Sequence, residues 1–476
     1  MKKSLKKHKI ITLFAVMMTL MNLPGAWAQV PGDVLSGSWA GSLSFGKSRL
    51  KVVFRFMQDD KQGWLVLMDS PDQGAEGIEV EGIRLEGDSV ILESRAVNGI
   101  FRGVYQASDT SIAGSWSQSG LSLPLRLDKT TEDLRLRRPQ EPKPPFPYQT
   151  EEVTFRNQFG GIRLSGTLSI PEGTGSFPAC ILISGSGPQD RDESLLWHKP
   201  FLVIADQLSR NGIAVLRYDD RGTGSSEGKF ETATTLDFAT DARAAFDYLR
   251  NDNRIIPSGI GFAGHSEGGL IAAIVAGQNL ATAFVILLAG PALPGDDLLL
   301  RQNRLIAEAM GSDSKQLKEA DKTNREIFSI VKKTADTAAA AMKIRKILQE
   351  NLTSSDNTEA GNAAYIEAQI RQLNSPWFRT FLTLDPVPYL SLIQCPVLAL
   401  YGSKDLQVPP DDNIKALKKA LEKANNADHE VVELQGLNHL FQPAQTGSPE
   451  EYGKIEVTIS PRVLEIITAW LKQKTS

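Results

Sequence analysis

One serine in this chain stands where nucleophilic chemistry needs it. Gly264-His265-Ser266-Glu267-Gly268 follows the strand-like run "GIGFAG" and leads directly into the helical pattern "EGGLIAAIVAGQ". A strand-to-helix turn of this kind is tight. Glycine at 264 and 268 removes the side chains that would collide, and the turn lifts the serine hydroxyl above the sheet edge at a helix N-terminus.

A hydroxyl is a weak nucleophile until a base takes its proton. The chain has five histidines. His8 lies in a segment expected to be removed, and His198 lies far ahead of the turn. His265, beside the serine, is expected to point away from the base position. His429 opens a strand at an exposed turn. His439, in "LQGLNHLF" after the last strand, is left as the base. The base needs an acid to hold its tautomer. Asp405, in "LALYGSKDLQVPP", fills that role, giving the chain order Ser266, Asp405, His439. Asp411 and Asp412 compete, but they follow Pro409-Pro410 and are expected to cap a helix. An oxyanion formed at the serine needs backbone donors. The Glu267 N–H supplies one. Ser186, or its neighbour Gly187, in "SGSGPQDRD" supplies the other.

The elements that must hold these residues are legible. From residue 151 onward, short apolar runs alternate with helical patterns: "ACILISGSG", "PFLVIADQLSRNG", "IAVLRYDDRG", "LDFATDARAAFDYLRN" and their successors. Continuous apolar strands between helices predict a mostly parallel sheet covered on both faces. Residues 296–385 break the rhythm. They carry no strand pattern and read as several helices inserted at the C-terminal edge of the sheet, a cap over the serine. Trp377, Phe378 and Phe381 could line a pocket there, or pack between cap helices.

Ahead of this region, residues 29–128 read as all β. "RLKVVFRFMQ" alternates, and about seven or eight short runs separated by turn residues predict a small barrel or sandwich. "GSW" at 37–39 and 114–116 could mark equivalent strands where that sheet closes. Residues 129–150 carry five prolines between 139 and 147 and read as a semi-rigid linker. Residues 1–28 have the basic, apolar and small-residue parts of a signal peptide ending at Ala28, so export is expected. No other run is long and apolar enough for a membrane span. Cys180 and Cys395 read as two free thiols. A net charge of −4 gives no reason to expect a nucleic-acid partner. No His or Cys pair has ligand spacing, so neither a metal nor an organic cofactor is implied.

Taken together, "SGSGPQDRD", "YDDRGTGSS", "GHSEGG", "YGSKD" and "GLNHLF" resemble the α/β-hydrolase superfamily, and their combination is similar to its esterase branch, some members of which carry an added N-terminal β domain. The resemblance covers residues 151–476. It implies an ester hydrolase with a small-molecule substrate. It also implies that Asp219, Asp220 and Arg221 shape a loop rather than perform chemistry. Ser184 stands where many lipases have histidine. Three alternatives share these parts: a peptidase in which the Glu267 carboxylate binds a cationic group, a thioesterase or an acyltransferase. Otherwise that carboxylate is expected to be incidental. A barrel that binds a ligand beside an inactive hydrolase is the alternative of another class.

Overall fold

A computed structural model describes residues 32–475 except 46–47, 60–62, 74, 119–120, 132–137, 280 and 352–358. The signal-peptide reading of residues 1–28 lies outside the described residues.

The N-terminal region begins with a short helix, α1 (Gly32–Leu35), and nine strands follow: β1 (Gly37–Phe45), β2 (Ser48–Asp59), β3 (Gly63–Ser70), β4 (Ala75–Val80), β5 (Gly82–Glu86), β6 (Ser89–Ser94), β7 (Gly99–Gln106), β8 (Ser111–Gln118) and β9 (Leu121–Thr130). They form one antiparallel sheet in the order β4-β3-β2-β1-β9-β8-β7-β6-β5. Only Glu81 separates β4 from β5, so the chain itself joins the two ends of the sheet, which is barrel-like and nearly closed. Alternation in β2 does what the pattern predicts: Val52, Phe54 and Phe56 are buried while Lys51 and Arg55 are not. Trp39, Phe54, Phe56, Phe101 and Trp116 are each at most 3% exposed, so large side chains fill the interior. The two "GSW" strands, β1 and β8, both flank β9 in the middle of the sheet rather than at its closure.

The second region has eight strands: β10 (Tyr148–Asn157), β11 (Ile162–Pro171), β12 (Phe177–Ile183), β13 (Ala214–Tyr218), β14 (Ile255–His265), β15 (Val285–Leu288), β16 (Val397–Gly402) and β17 (His429–Leu434). Their order is β10-β11-β13-β12-β14-β15-β16-β17. The β10–β11 and β11–β13 pairs are antiparallel, and the rest are parallel. This is the α/β-hydrolase sheet. Helices α2 (Pro200–Ser209), α3 (Thr235–Arg250) and α4 (Glu267–Gln278) follow β12, β13 and β14 in turn. Two strands set the site directly. β12 ends at the loop expected to carry an oxyanion donor, and β14 ends one residue before Ser266, the expected nucleophile.

Between β15 and β16 lie α5 (Gly295–Ala309), α6 (Ser314–Lys333), α7 (Thr337–Asn351), α8 (Glu359–Leu373), α9 (Pro376–Thr383) and α10 (Val387–Leu390). The insertion therefore starts one residue before the expected 296, and its last short helix lies beyond 385. Leu300, Ile327, Phe328, Ile344, Ile370 and Phe378 form a core of its own. The remaining helices are α11 (Pro410–Lys423), α12 (Pro449–Tyr452) and α13 (Pro461–Thr475).

The linker is shorter than expected and is docked. β9 continues to Thr130 and β10 begins at Tyr148. The Arg138 guanidinium donates to the carbonyls of Ile455, Leu196 and Gly453 at 2.9–3.0 Å. The Gln140 amide donates to the Ile459 carbonyl at 2.7 Å and accepts from the Thr458 N–H at 2.7 Å. Proline supplies the extended backbone, and these two side chains attach it to the segment before α13.

Candidate active site

The turn at Ser266 has the geometry that its glycines suggest. A Cβ on Gly264 would stand 2.0 Å from the Gly268 carbonyl oxygen, and one on Gly268 would stand 2.1 Å from that of Ile183. Only glycine fits at either place. Ser266 itself has φ 53°, a left-handed conformation that a non-glycine residue adopts only when its surroundings impose it. The surroundings do so here: the Ser266 N–H donates to the Leu288 carbonyl at 2.8 Å.

The loop after β17 brings His439 to the loop after β16. The His439 Nδ1 lies 2.8 Å from the Asp405 Oδ2, and both residues are buried. The Asp405 Oδ1 accepts from the N–H groups of Gln407 and Val408, each at 2.8 Å. That second oxygen fixes the carboxylate, and the first fixes the imidazole with its Nε2 edge free of the acid. Ser266 and His439 line one cavity of about 190 Å³. Asp411 and Asp412 are elsewhere. They lie in the first turn of α11 rather than at its cap, and Asp412 pairs with Arg301 of α5.

Ser186 also lines the cavity, but its side chain is engaged: the Ser186 Oγ donates to the Glu267 Oε2 at 2.7 Å. The neighbouring Gly185 N–H is taken by the Glu193 Oε1 at 2.7 Å. Of these two residues, only Gly185 has its N–H engaged by a side chain among the described hydrogen bonds.

Three features depart from the sequence reading. The Glu267 carboxylate is a buried junction of hydrogen bonds, which the sequence reading did not foresee. It is buried and accepts from the Thr235 Oγ1 at 2.6 Å, the Ser186 Oγ at 2.7 Å and the Trp377 Nε1 at 2.9 Å. Burial, against three neutral donors, pushes its pKa up. His265 does not point away from the base. Its ring centroid is 4.7 Å from that of His439, and its Nε2 lies 3.0 Å from the His439 carbonyl oxygen. His198 is far away in sequence, yet it lines the cavity. Burial and the nearby Arg138 charge lower its pKa to about 4, so it is neutral at physiological pH.

Glu193 was missed altogether. It is an acid in "RDESLL", indistinguishable by sequence from the half-buried acids around it, and only its burial beside His265 marks it out.

Asp219, Asp220 and Arg221 frame the loop, as the resemblance implied. Asp219 accepts from the Arg191 guanidinium at 2.8–3.0 Å, and Arg221 pairs with Asp241. Asp220 accepts from the Ser184 Oγ at 2.9 Å and the Gln189 N–H at 3.0 Å, and burial pushes it up to about 8. The three aromatic residues of the cap divide. Trp377 and Phe381 line the cavity with Leu298, Leu299, Val408 and Leu440, whereas Phe378 packs on Phe328 in the cap core.

The family described as serine aminopeptidase, S33, matches residues 199–442, just over half of the chain. Esterase EstD of Thermotoga maritima is 26% identical over 328 residues, covering 69% of this chain and 68% of that protein. Among solved structures, the α/β hydrolase GrgF of a Penicillium species superposes with a TM-score of 0.42 at 18% identity, over 69% of this chain and 99% of its own. The esterase Pf2001 of Pyrococcus furiosus gives 0.42 at 14% identity, over 72% and 98%. With its glycine-flanked serine, its parallel sheet and the span of that match, the chain belongs to the serine aminopeptidase S33 family of α/β hydrolases.

Proposed function

We propose that this protein hydrolyses carboxylic esters of small, uncharged molecules through an acyl-enzyme. The observation that carries the reading is the buried Asp405–His439 pair, at 2.8 Å, beside Ser266 in one cavity. The Ser266 Oγ attacks the ester carbonyl while the His439 Nε2 takes its proton. The N–H groups of Glu267 and Ser186 receive the oxyanion. His439 returns the proton to the leaving alcohol, and a water activated by the same base then releases the acid from Ser266. The name of the Thermotoga relative supports an ester as the substrate.

The family's description raises a peptidase instead. An aminopeptidase needs a free carboxylate for the substrate ammonium group. The acids lining the cavity are Glu193 and Glu267, and both are occupied by donors of the protein. That occupancy favours an uncharged ester.

A series of p-nitrophenyl esters run beside aminoacyl anilides tests the reading. Ester turnover is expected, and Ser266→Ala, His439→Ala and Asp405→Asn should each cut it by about 10³-fold or more without adding to one another. A fluorophosphonate should label the parent and not Ser266→Ala. Preference for the anilides, or an unlabelled parent, overturns the reading. The proposal includes export, and the mature exported chain should begin at Gln29.

A further inference from the structure

A second buried pair lies beside Asp405 and His439, and the reaction as described makes no use of it. The Glu193 Oε1 is 2.9 Å from the His265 Nδ1, and both side chains are less than a tenth exposed. The same oxygen accepts the Gly185 N–H at 2.7 Å. The other ring nitrogen, the His265 Nε2, faces the His439 carbonyl oxygen at 3.0 Å.

The partners of the ring are a carboxylate and a peptide carbonyl, and a nitrogen that faces such an acceptor carries hydrogen. Both ring nitrogens face oxygen acceptors, the arrangement that an imidazolium ion paired with Glu193 would make. Its contacts reach three loops. Glu193 grips the residue before Ser186, in the loop after β12. His265 itself is the residue before the nucleophile. The His439 carbonyl belongs to the base. We propose that Glu193 and His265 form a charged clamp that positions the oxyanion donor and the base against the nucleophile, which makes Glu193 a positioning residue of the reaction. The proposal rests on the ester-hydrolase reading.

The backbone around Glu193 is shaped for this contact. Glu193 has φ 52°, and Leu196 and Trp197 have φ 51° and 64°, left-handed conformations that cost energy unless other contacts hold them. The buried pair supplies such a contact for Glu193.

The charge of the clamp gives it a pH signature. The groups facing the ring are Glu193, after β12; Asp405, after β16; and His439 and Phe441, after β17. Burial by itself would lower the pKa of the ring, but the charge and hydrogen bond of Glu193, with the His439 carbonyl and Asp405, raise it. The raised pKa keeps the ring charged to a higher pH than an ordinary imidazole, and the clamp is lost as pH rises through it. The parent enzyme should then show an alkaline fall in kcat/KM.

Glu193→Gln separates geometry from charge. With its amide oxygen in the place of Oε1, it can accept both the Gly185 N–H and an Nδ1–H, so the contacts of residue 193 are kept without the carboxylate charge. Glu193→Ala should lower kcat by about 10²-fold and change KM by no more than about twofold, since misplacement of catalytic groups acts on the transition state. Glu193→Gln should recover about tenfold of that loss and should lack the alkaline fall. A Glu193→Ala protein that melts as a folded chain and keeps the parent kcat overturns the clamp. So does a Glu193→Gln protein whose alkaline fall coincides with the parent's. If Glu193→Ala does not fold, the Glu193→Gln profile decides alone. Ser266→Ala run in parallel separates the two failures. If it stays active, the hydrolase reading fails; if it is inactive while Glu193→Gln keeps the parent's alkaline fall, only the clamp fails.

Discussion

Trp377 of the cap donates its indole N–H to Glu267, 2.9 Å from each carboxylate oxygen, across 110 residues of sequence. Glu267 directly follows Ser266 and also receives the Ser186 and Thr235 hydroxyls. One buried carboxylate thus joins the cap, the loop after β12 and α3.

That junction should be visible in kinetics. A hydrogen bond to a charged group contributes about 1.5–3 kcal/mol, so Trp377→Phe should lower kcat/KM by about tenfold or more. Glu267→Gln should cost more, because its amide turns a donor toward groups that are themselves donors. If the two residues act through one bond, the double variant should be no worse than Glu267→Gln alone. Additive losses in a double-mutant cycle would count against the junction.

The cap aromatics should separate by role. Phe378 is in the cap core against Phe328, 5.7 Å between ring centroids. Phe378→Ala should destabilise the protein by about 3–5 kcal/mol, read from denaturant unfolding. Phe381 faces the cavity as well as the main core. Phe381→Ala should shift the preferred acyl length, by about 1–3 kcal/mol in relative kcat/KM between neighbouring esters. An unchanged length profile would place the acyl group elsewhere in the cavity.

His198 should make the fold acid-sensitive. Its pKa falls from the ordinary 6.5 to about 4 on folding, chiefly through burial. Between those values the unfolded chain binds the proton and the native state does not, so stability declines as pH drops from 6.5 toward 4. His198→Gln should flatten the dependence of Tm on pH in that window. An unchanged slope would mean that other groups govern it.

Truncation should reveal what the linker does. A chain starting at 138 keeps Arg138, Gln140 and the whole of β10. One starting at 151 loses both anchors, Tyr148, and the bond from the Tyr148 hydroxyl to Asp206 at 2.9 Å. The longer piece should fold, having a core separate from that of the barrel, and should hydrolyse small esters. The shorter one should melt at a lower temperature. Equal melting points would show the linker contacts to be idle.

The elbow at Ser266, the order Ser266–Asp405–His439, the alternation of strands with helices and the place of the cap could all be read from the chain alone. Each depends on local rules: glycine where a Cβ cannot fit, apolar runs of strand length, an insertion between two such runs. The structure alone decided what the buried polar groups do. Glu193 meets His265 across 72 residues, Trp377 meets Glu267 across 110, and His265 meets the His439 carbonyl across 174. A buried acid and an exposed one look alike in sequence, because what separates them is the approach of a distant donor and the exclusion of water. The choice between Phe378 and Phe381 was of the same kind. Both lie on α9, three residues apart, and only the packing of α9 between the cap and the sheet turns one inward to the cap and the other to the cavity. The sequence by itself determined which residues could react. Tertiary contact decided which residues hold them in place.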